Sequence, residues 1–314
     1  MLLLYRGEGF NTNFYYHAGI DIDHSFFVAA PGKRILLVPG LNASFAKKNF
    51  KGKVVVFEDA YKELSKYVKN RTVLADLSSM NARMAQRLRR MCRLKDHTIP
   101  LFEQRAKKKK AEVNKMARAA RLTKEILASL DFKSAKTEFD LKKQLMVATA
   151  ELGLKPAFEP IVSTDRNTSY PHYNAGNKRL GSLVLVDYGV RYKHYCSDLT
   201  RCFMLDSDRG KKAKYEGLKN VCHSIADALP GMKTGKEVAV LAEGLMKKEG
   251  FPKMIHSIGH GVGLAVHEFP RLSRKYEDEI RGTTFAIEPA FYLGRYGMRF
   301  EEMVYFDGKK ARIL

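Results

Sequence analysis

The 314-residue chain has only four cysteines, Cys92, Cys196, Cys202 and Cys222, and none forms a CxxC pair. The spacings fit neither a zinc knuckle nor a disulfide framework, and predict reduced, buried cysteines that act as small apolar residues. No apolar stretch approaches the roughly 20 residues that a transmembrane helix needs, so no membrane partner is expected. Met1-Leu2-Leu3-Leu4, followed by Tyr5-Arg6-Gly7-Glu8, is too short in apolar content for a signal peptide, and a cytoplasmic setting is the expectation. Asn42-Ala43-Ser44 and Asn167-Thr168-Ser169 have the form of glycosylation sequons, which mean nothing without secretion. No Gly-x-Ser-x-Gly is present, which leaves a serine hydrolase without support. Gly176 through Gly181 opens like a P-loop, but Ser182 stands where lysine must be. Gly259-His260-Gly261-Val262-Gly263 lacks the dinucleotide spacing. His256 and His260 have the spacing of a zincin, but Ser257 replaces its glutamate and the glycines oppose a helix.

Acidic residues are the scarcer charge: 34 Asp/Glu stand against 56 Lys/Arg, a net +22. Residues 83–124 carry 15 Lys/Arg against 3 Asp/Glu, a net +12. Such a segment could hold nucleic acid or an acidic membrane surface. It does not interleave stacking aromatics with its basic residues, as single-strand binders do. A solvated helical face plus an exposed linker is the preferred reading, and a nucleic-acid partner is not expected.

The length suits two domains with ample core. Residues 26–30, 34–38, 53–57 and 72–75 are apolar and read as strands, with helices at 59–69 and 79–93. Pro100 and the run Lys107-Lys108-Lys109-Lys110 mark a boundary near 95–110. The domains expected are 1–105 and 106–314. Val113, Ala117, Ala120 and Leu127 recur at helical spacing and predict a helix over about 105–130. A further helix fits 137–152. Residues 183–188, 191–196 and 199–205 read as an antiparallel meander. Helices fit 209–229 and 234–249, the second with Thr234 and Glu237 as a capping box. Strands are expected at 283–293 and 298–306.

Five residues stand out against this background. Asp187 ends the apolar run Leu183-Val184-Leu185-Val186, and Glu288 follows Phe285-Ala286-Ile287. Asp198, Glu301 and His260 lie on similar segments. A carboxylate buried without a partner costs several kcal/mol or more. Asp187 with Asp198, and Glu288 with Glu301, can each face one another across a hairpin. Two acidic hairpins converging on one point repel unless cations lie between them. Four carboxylates and one histidine favour Mn²⁺, Co²⁺ or Fe²⁺ over a thiolate-type zinc site. Two such ions can acidify a bridging water and present hydroxide to a carbonyl.

The motifs also resemble those of the pita-bread metallopeptidases. Gly181 through Gly189, continuing to Ser197-Asp198-Leu199-Thr200-Arg201, is similar to their first signature. His256 through Glu268 resembles the second, Phe285-Ala286-Ile287-Glu288-Pro289 the third, and Arg299-Phe300-Glu301-Glu302 the fourth. The branch it resembles is that of the prolidases and Xaa-Pro aminopeptidases, over residues 110–306. Asn13 through Gly19 resembles the entry to their N-terminal domain. Ala286, Ala290 and Phe300 depart from the usual threonine, glycine and isoleucine, without removing a ligand.

The resemblance implies an α+β fold: a small N-terminal α/β, creatinase-like domain, then a pita-bread domain with a curved antiparallel sheet and outer helices. It implies two divalent metal ions, Mn²⁺ or Co²⁺ first, with Fe²⁺ or Zn²⁺ as alternatives. Asp187 would chelate one ion, Asp198 and Glu301 would bridge both, and His260 and Glu288 would bind the other. Glu288 would also shuttle protons. His172 and His267 would contact the scissile amide or the tetrahedral intermediate, with Arg299 and Tyr292 alongside. Glu302 is assigned a supporting place, although its role and that of Glu301 could be exchanged, and His256 a structural or peripheral one. The activity implied is hydrolysis of the bond between an N-terminal residue and proline by a bridging hydroxide, in a homodimer. The alternatives are an aminopeptidase of methionine type and a non-catalytic pita-bread protein that binds through its basic surface.

Overall fold

Neighbouring residues of a strand face opposite ways, and the strand Leu2–Arg6 uses both faces: Leu3 and Leu4 are each buried, in different apolar clusters. The structure, a computed structural model, describes residues 1–314. The chain divides into two compact units, Met1–Arg105 and Ala106–Leu314.

In the first unit a six-stranded sheet runs in the order Lys53–Phe57, Lys33–Pro39, Ser25–Ala30, Leu2–Arg6, Thr72–Ala75, Arg93–Asp96. Leu3, Phe26, Ile35 and Leu37 pack on Leu64, Val68 and Leu88 from the helices Ala60–Val68 and Ala82–Arg89. Leu4, Phe27, Leu36 and Val38 pack with Phe14, Ala46 and Leu101 on the other face. Cover on both faces is why these strands read as unbroken apolar runs. The apolar start of the chain is an inner strand of this sheet.

Every strand pairing within the second unit is antiparallel. Ile161–Thr164, Leu183–Tyr188 and Leu199–Met204 form one sheet. Glu268–Leu272, Gly259–Gly261, Thr283–Ile287, Glu302–Phe306 and Ala311–Ile313 form another. Helices Arg209–Ala228 and Gly235–Lys248 lay Leu218, Val221, Ile225, Val238 and Ala242 over Leu185, Phe285, Ile287 and Val304. Thr234 and Glu237 form the expected capping box, and Thr137 with Asp140 forms a second at the start of Glu138–Glu151. All four cysteines are free and buried. No helix is long and apolar enough to cross a membrane.

The structure departs from the sequence expectations at three places. The helix expected over about 105–130 begins later, as Lys110–Ala128, and a separate helix, Thr98–Ala106, precedes it. Lys109 is extended, with its N–H donated to Glu112 Oε2 at 2.7 Å. Lys108 turns inward and is buried, so this part of the lysine run is not an exposed linker. The expected meander is also absent. Leu199–Met204 pairs directly with Leu183–Tyr188, while Val190–Tyr192 and Tyr195–Cys196 form a separate hairpin beside Lys155–Pro156. The chain folds against itself at Gly189, where a Cβ would stand 1.8 Å from Ser197 O. Finally, the long strands expected at 283–293 and 298–306 break at Glu288-Pro289 and Phe300-Glu301. Pro289 has no N–H for a ladder. Glu288 N–H goes instead to Ile258 O at 2.8 Å, and Glu301 N–H to Thr200 O at 3.2 Å.

Candidate metal centre and active site

Those breaks carry the carboxylates. Ile287 pairs with Glu302 and Ala290 with Arg299, so Glu288 and Glu301 sit between two ladders. Asp187 lies inside its strand, opposite Thr200 and Ile161. Asp198 precedes Leu199–Met204, and His260 sits beside Ala286 in the short strand Gly259–Gly261. All five line one cavity of about 540 Å³, together with His172, His256, His267 and Arg299.

Single ligating atoms of Asp198, His260 and Glu301 lie within 4.8 Å of one another. His260 Nε2 is 3.5 Å from Asp198 Oδ2 and 3.7 Å from Glu288 Oε1. His260 Nδ1 lies 3.2 Å from Gly261 O, and a carbonyl only accepts, so Nδ1 carries the hydrogen. Nε2 then presents a lone pair to two carboxylates. Burial, and next His267, push the His260 imidazole down to about 3, so it is neutral. A lone pair facing carboxylates is unfavourable unless a cation lies among them.

The acids show the same need. Burial, then Glu301, Asp187 and Glu288, raise Asp198 well above the ordinary aspartate value. Burial, then Asp187 and Glu288, do the same to Glu301. Burial pushes Glu288 up to about 7 and raises Asp187 despite the opposing pull of Arg299. Asp187 Oδ1 is buried without a hydrogen-bond partner, while Oδ2 accepts from Arg299 Nη2. Burial works against the Arg299 guanidinium, which Asp187 and its neighbours nonetheless hold well above its ordinary value. Four carboxylates thus share one buried guanidinium, and the donor set fits divalent cations with a preference for oxygen ligands.

Around this set runs a hydrogen-bonded chain. Arg299 Nη1 donates to Tyr292 OH at 3.0 Å, and Tyr292 OH lies 3.1 Å from His256 Nε2. His256 Nδ1 is 2.7 Å from Ser257 O, so it carries the hydrogen and Nε2 accepts from the tyrosine. His256 Nδ1 also lies 3.8 Å from Glu288 Oε2. Of the structural or peripheral place expected for His256, the structure favours the structural one: it lines the cavity between Tyr292 and Glu288. Thr200 was not singled out by sequence, yet its Oγ1 bonds Glu301 Oε2. Its one available signal is the strand period, which puts it on the same side as Asp198. Of the adjacent glutamates, Glu301 enters the cavity. Glu302 instead pairs with Arg201 and with Lys124, the latter at 2.9 Å. His172 lies on the cavity wall, and the His267 ring stands 4.0 Å from that of His260.

Residues 114–307 match Metallopeptidase family M24, and the chain belongs to that family of metallopeptidases. It is 29% identical over 317 residues to the Xaa-Pro dipeptidase of Pyrococcus furiosus, covering 96% of this chain and 90% of that one. A putative Xaa-Pro aminopeptidase of Mycoplasma pneumoniae is 33% identical over 171 residues, 51% of this chain and 47% of that one. The structure of the prolidase from Pyrococcus furiosus superposes with a TM-score of 0.89 at 26% identity, covering 99% of this chain and 95% of that one. The fold is accordingly the α+β pita-bread fold.

Proposed function

We propose that this metallopeptidase removes an N-terminal residue from peptides with proline in the second position. The observation that carries the reading is the convergence of Asp187, Asp198, His260, Glu288 and Glu301 on one cavity. The similarity to an Xaa-Pro dipeptidase over nearly the whole chain supports the proline preference. The five residues would hold two divalent cations, Mn²⁺ or Co²⁺ first, with Asp198 and Glu301 shared between them. Such ions acidify water and stabilise negative charge developing on a carbonyl oxygen. Glu288 would also take and return a proton at the water held between the cations. His172 and His267 would hold the scissile amide from the cavity wall. Burial lowers His267, so it would offer a neutral N–H rather than a charge. Arg299 holds Asp187 in place, and Tyr292 holds Arg299. Residues 1–105 would serve as a creatinase-like accessory domain and 106–314 as the catalytic domain, in a cytoplasmic homodimer.

The test is hydrolysis of an Xaa-Pro dipeptide, an Xaa-Pro-Xaa tripeptide and a Met-Ala peptide, with Mn²⁺ and Co²⁺ each supplied. Turnover of either proline peptide is expected. Cleavage of Met-Ala alone would move the reading to a methionine-type aminopeptidase. A folded, metal-loaded protein that cleaves none would point to a binding protein.

A further inference from the structure

One buried ion pair has no part in the chemistry described so far. Lys108 Nζ lies 3.2 Å from Glu268 Oε2, with side chains only 1% and 2% exposed. Charges withdrawn from water this far are tolerated only with close partners, and removing one partner leaves the other uncompensated.

Glu268 directly follows His267. Its Oε1 accepts the Ala265 N–H at 3.0 Å. Gly263 packs on the same carboxylate, where a Cβ would stand 2.4 Å from Oε2. Gly263 N–H donates to Ala265 O at 2.9 Å, and Gly263 O accepts from Cys196 N–H at 2.8 Å. The carboxylate therefore fills the inside of the turn formed by residues 262–267. Lys108 is itself anchored: its N–H donates to Gly282 O at 2.8 Å, and its Nζ to Ala106 O at 3.2 Å. The outer side of the turn presents Val266 and His267 to the cavity.

We propose that Lys108 and Glu268 are positioning residues, whose buried pair locks the 262–267 turn and thereby sets His267 against His260 and the substrate. The proposal rests on the reading of His267 as a substrate-contacting group. Lys108 acts at one remove, through the turn.

The test uses the full-length, metal-loaded protein with an Xaa-Pro-Xaa peptide, together with amide hydrogen exchange. Misplacing a catalytic contact by about 1 Å costs up to roughly 100-fold. Lys108→Met is accordingly expected to lower kcat by about tenfold or more, with KM within about threefold and metal content unchanged. Lys108→Arg keeps the charge and should stay within about threefold of the wild type. In a His267→Ala background, Lys108→Met should cost no more than about twofold, because the two act through one contact. Exchange across residues 262–268 should accelerate in Lys108→Met, with residues 183–204 unchanged. Unaltered kcat, loss of metal, or an undiminished effect in the His267→Ala background would overturn the proposal. Should Lys108→Met not fold, Glu268→Gln, which keeps an acceptor for Ala265 and removes the charge, serves in the same comparisons. If the wild type cleaves no proline peptide, the functional reading fails, while the exchange arm still reports whether the pair locks the turn.

Discussion

Thr200 Oγ1 stands 2.7 Å from Glu301 Oε2 and 2.9 Å from Arg299 Nε. The hydroxyl gives its hydrogen to the carboxylate and receives one from the guanidinium. Through Arg299 the chain continues to Asp187. Two candidate ligands, Asp187 within a strand and Glu301 at a strand break, are thus tied together by a side chain that need not touch a metal. Thr200→Val keeps the shape and deletes both bonds. Hydrogen bonds to charged groups are worth about 1.5–3 kcal/mol, and loss of such an outer partner typically lowers metal affinity by roughly 10–100-fold. Calorimetric titration with Mn²⁺ measures this directly. An unchanged affinity would show that Glu301 is held by its backbone alone.

Asp198→Asn should abolish hydrolysis of an Xaa-Pro dipeptide with the circular dichroism spectrum intact. The same change removes a buried acid whose ionisation is opposed by burial and then by Glu301. The metal-free variant should therefore melt at or above the metal-free wild type near neutral pH. Undiminished turnover in Asp198→Asn would sink the dinuclear reading.

What was legible locally and what was not divides on physical lines. Asp187 was visible because a charge at the end of Leu183-Val184-Leu185-Val186 contradicts its surroundings. The helix at Thr234 was visible because a capping box is a short-range signal. The strand break at Glu288 had a local mark in Pro289, but the one at Glu301 had none, because the Glu301 N–H is accepted by Thr200 O, about a hundred residues away. Lys108 was hidden for the same reason. Its burial depends on Glu268, and beside three other lysines it reads as solvated. The exact place of His256 was hidden because it is set by Tyr292, 36 residues further on.

Tyr292→Phe isolates that last contact. Tyr292 OH receives Arg299 Nη1–H at 3.0 Å and gives its own hydrogen to His256 Nε2. Without it, a buried guanidinium N–H loses its acceptor, at a cost of about 1–3 kcal/mol. The melting temperature should fall, and kcat should fall by about tenfold as Arg299 loosens its hold on Asp187. Metal content, measured by atomic emission, should be retained. Wild-type kcat in the variant would confine the tyrosine to a packing role.

Chelation should inactivate the enzyme, with Mn²⁺ or Co²⁺ restoring it, and should also change how stability depends on pH. Burial lowers His256, His260 and His267 below the ordinary 6.5, so these groups affect stability only below that pH. Above it the carboxyls decide. Glu288 is pushed up to about 7 from the ordinary 4.5, and Asp198 and Glu301 are raised as well. A raised folded value means that the folded state holds protons the unfolded chain has already released. Its stabilising contribution is complete below the unfolded value and is lost as pH rises through the folded one. The chelated protein should therefore lose melting temperature as pH rises from about 6.5 through about 7, where Glu288 ionises, and further for as long as Asp198 and Glu301 still hold protons. Bound cations, which take the place of those protons and stabilise only the folded state, should flatten the slope. Calorimetric melts of chelated and Mn²⁺-loaded protein across that range make the comparison. Parallel slopes would mean that the cations do not occupy the carboxylate cluster.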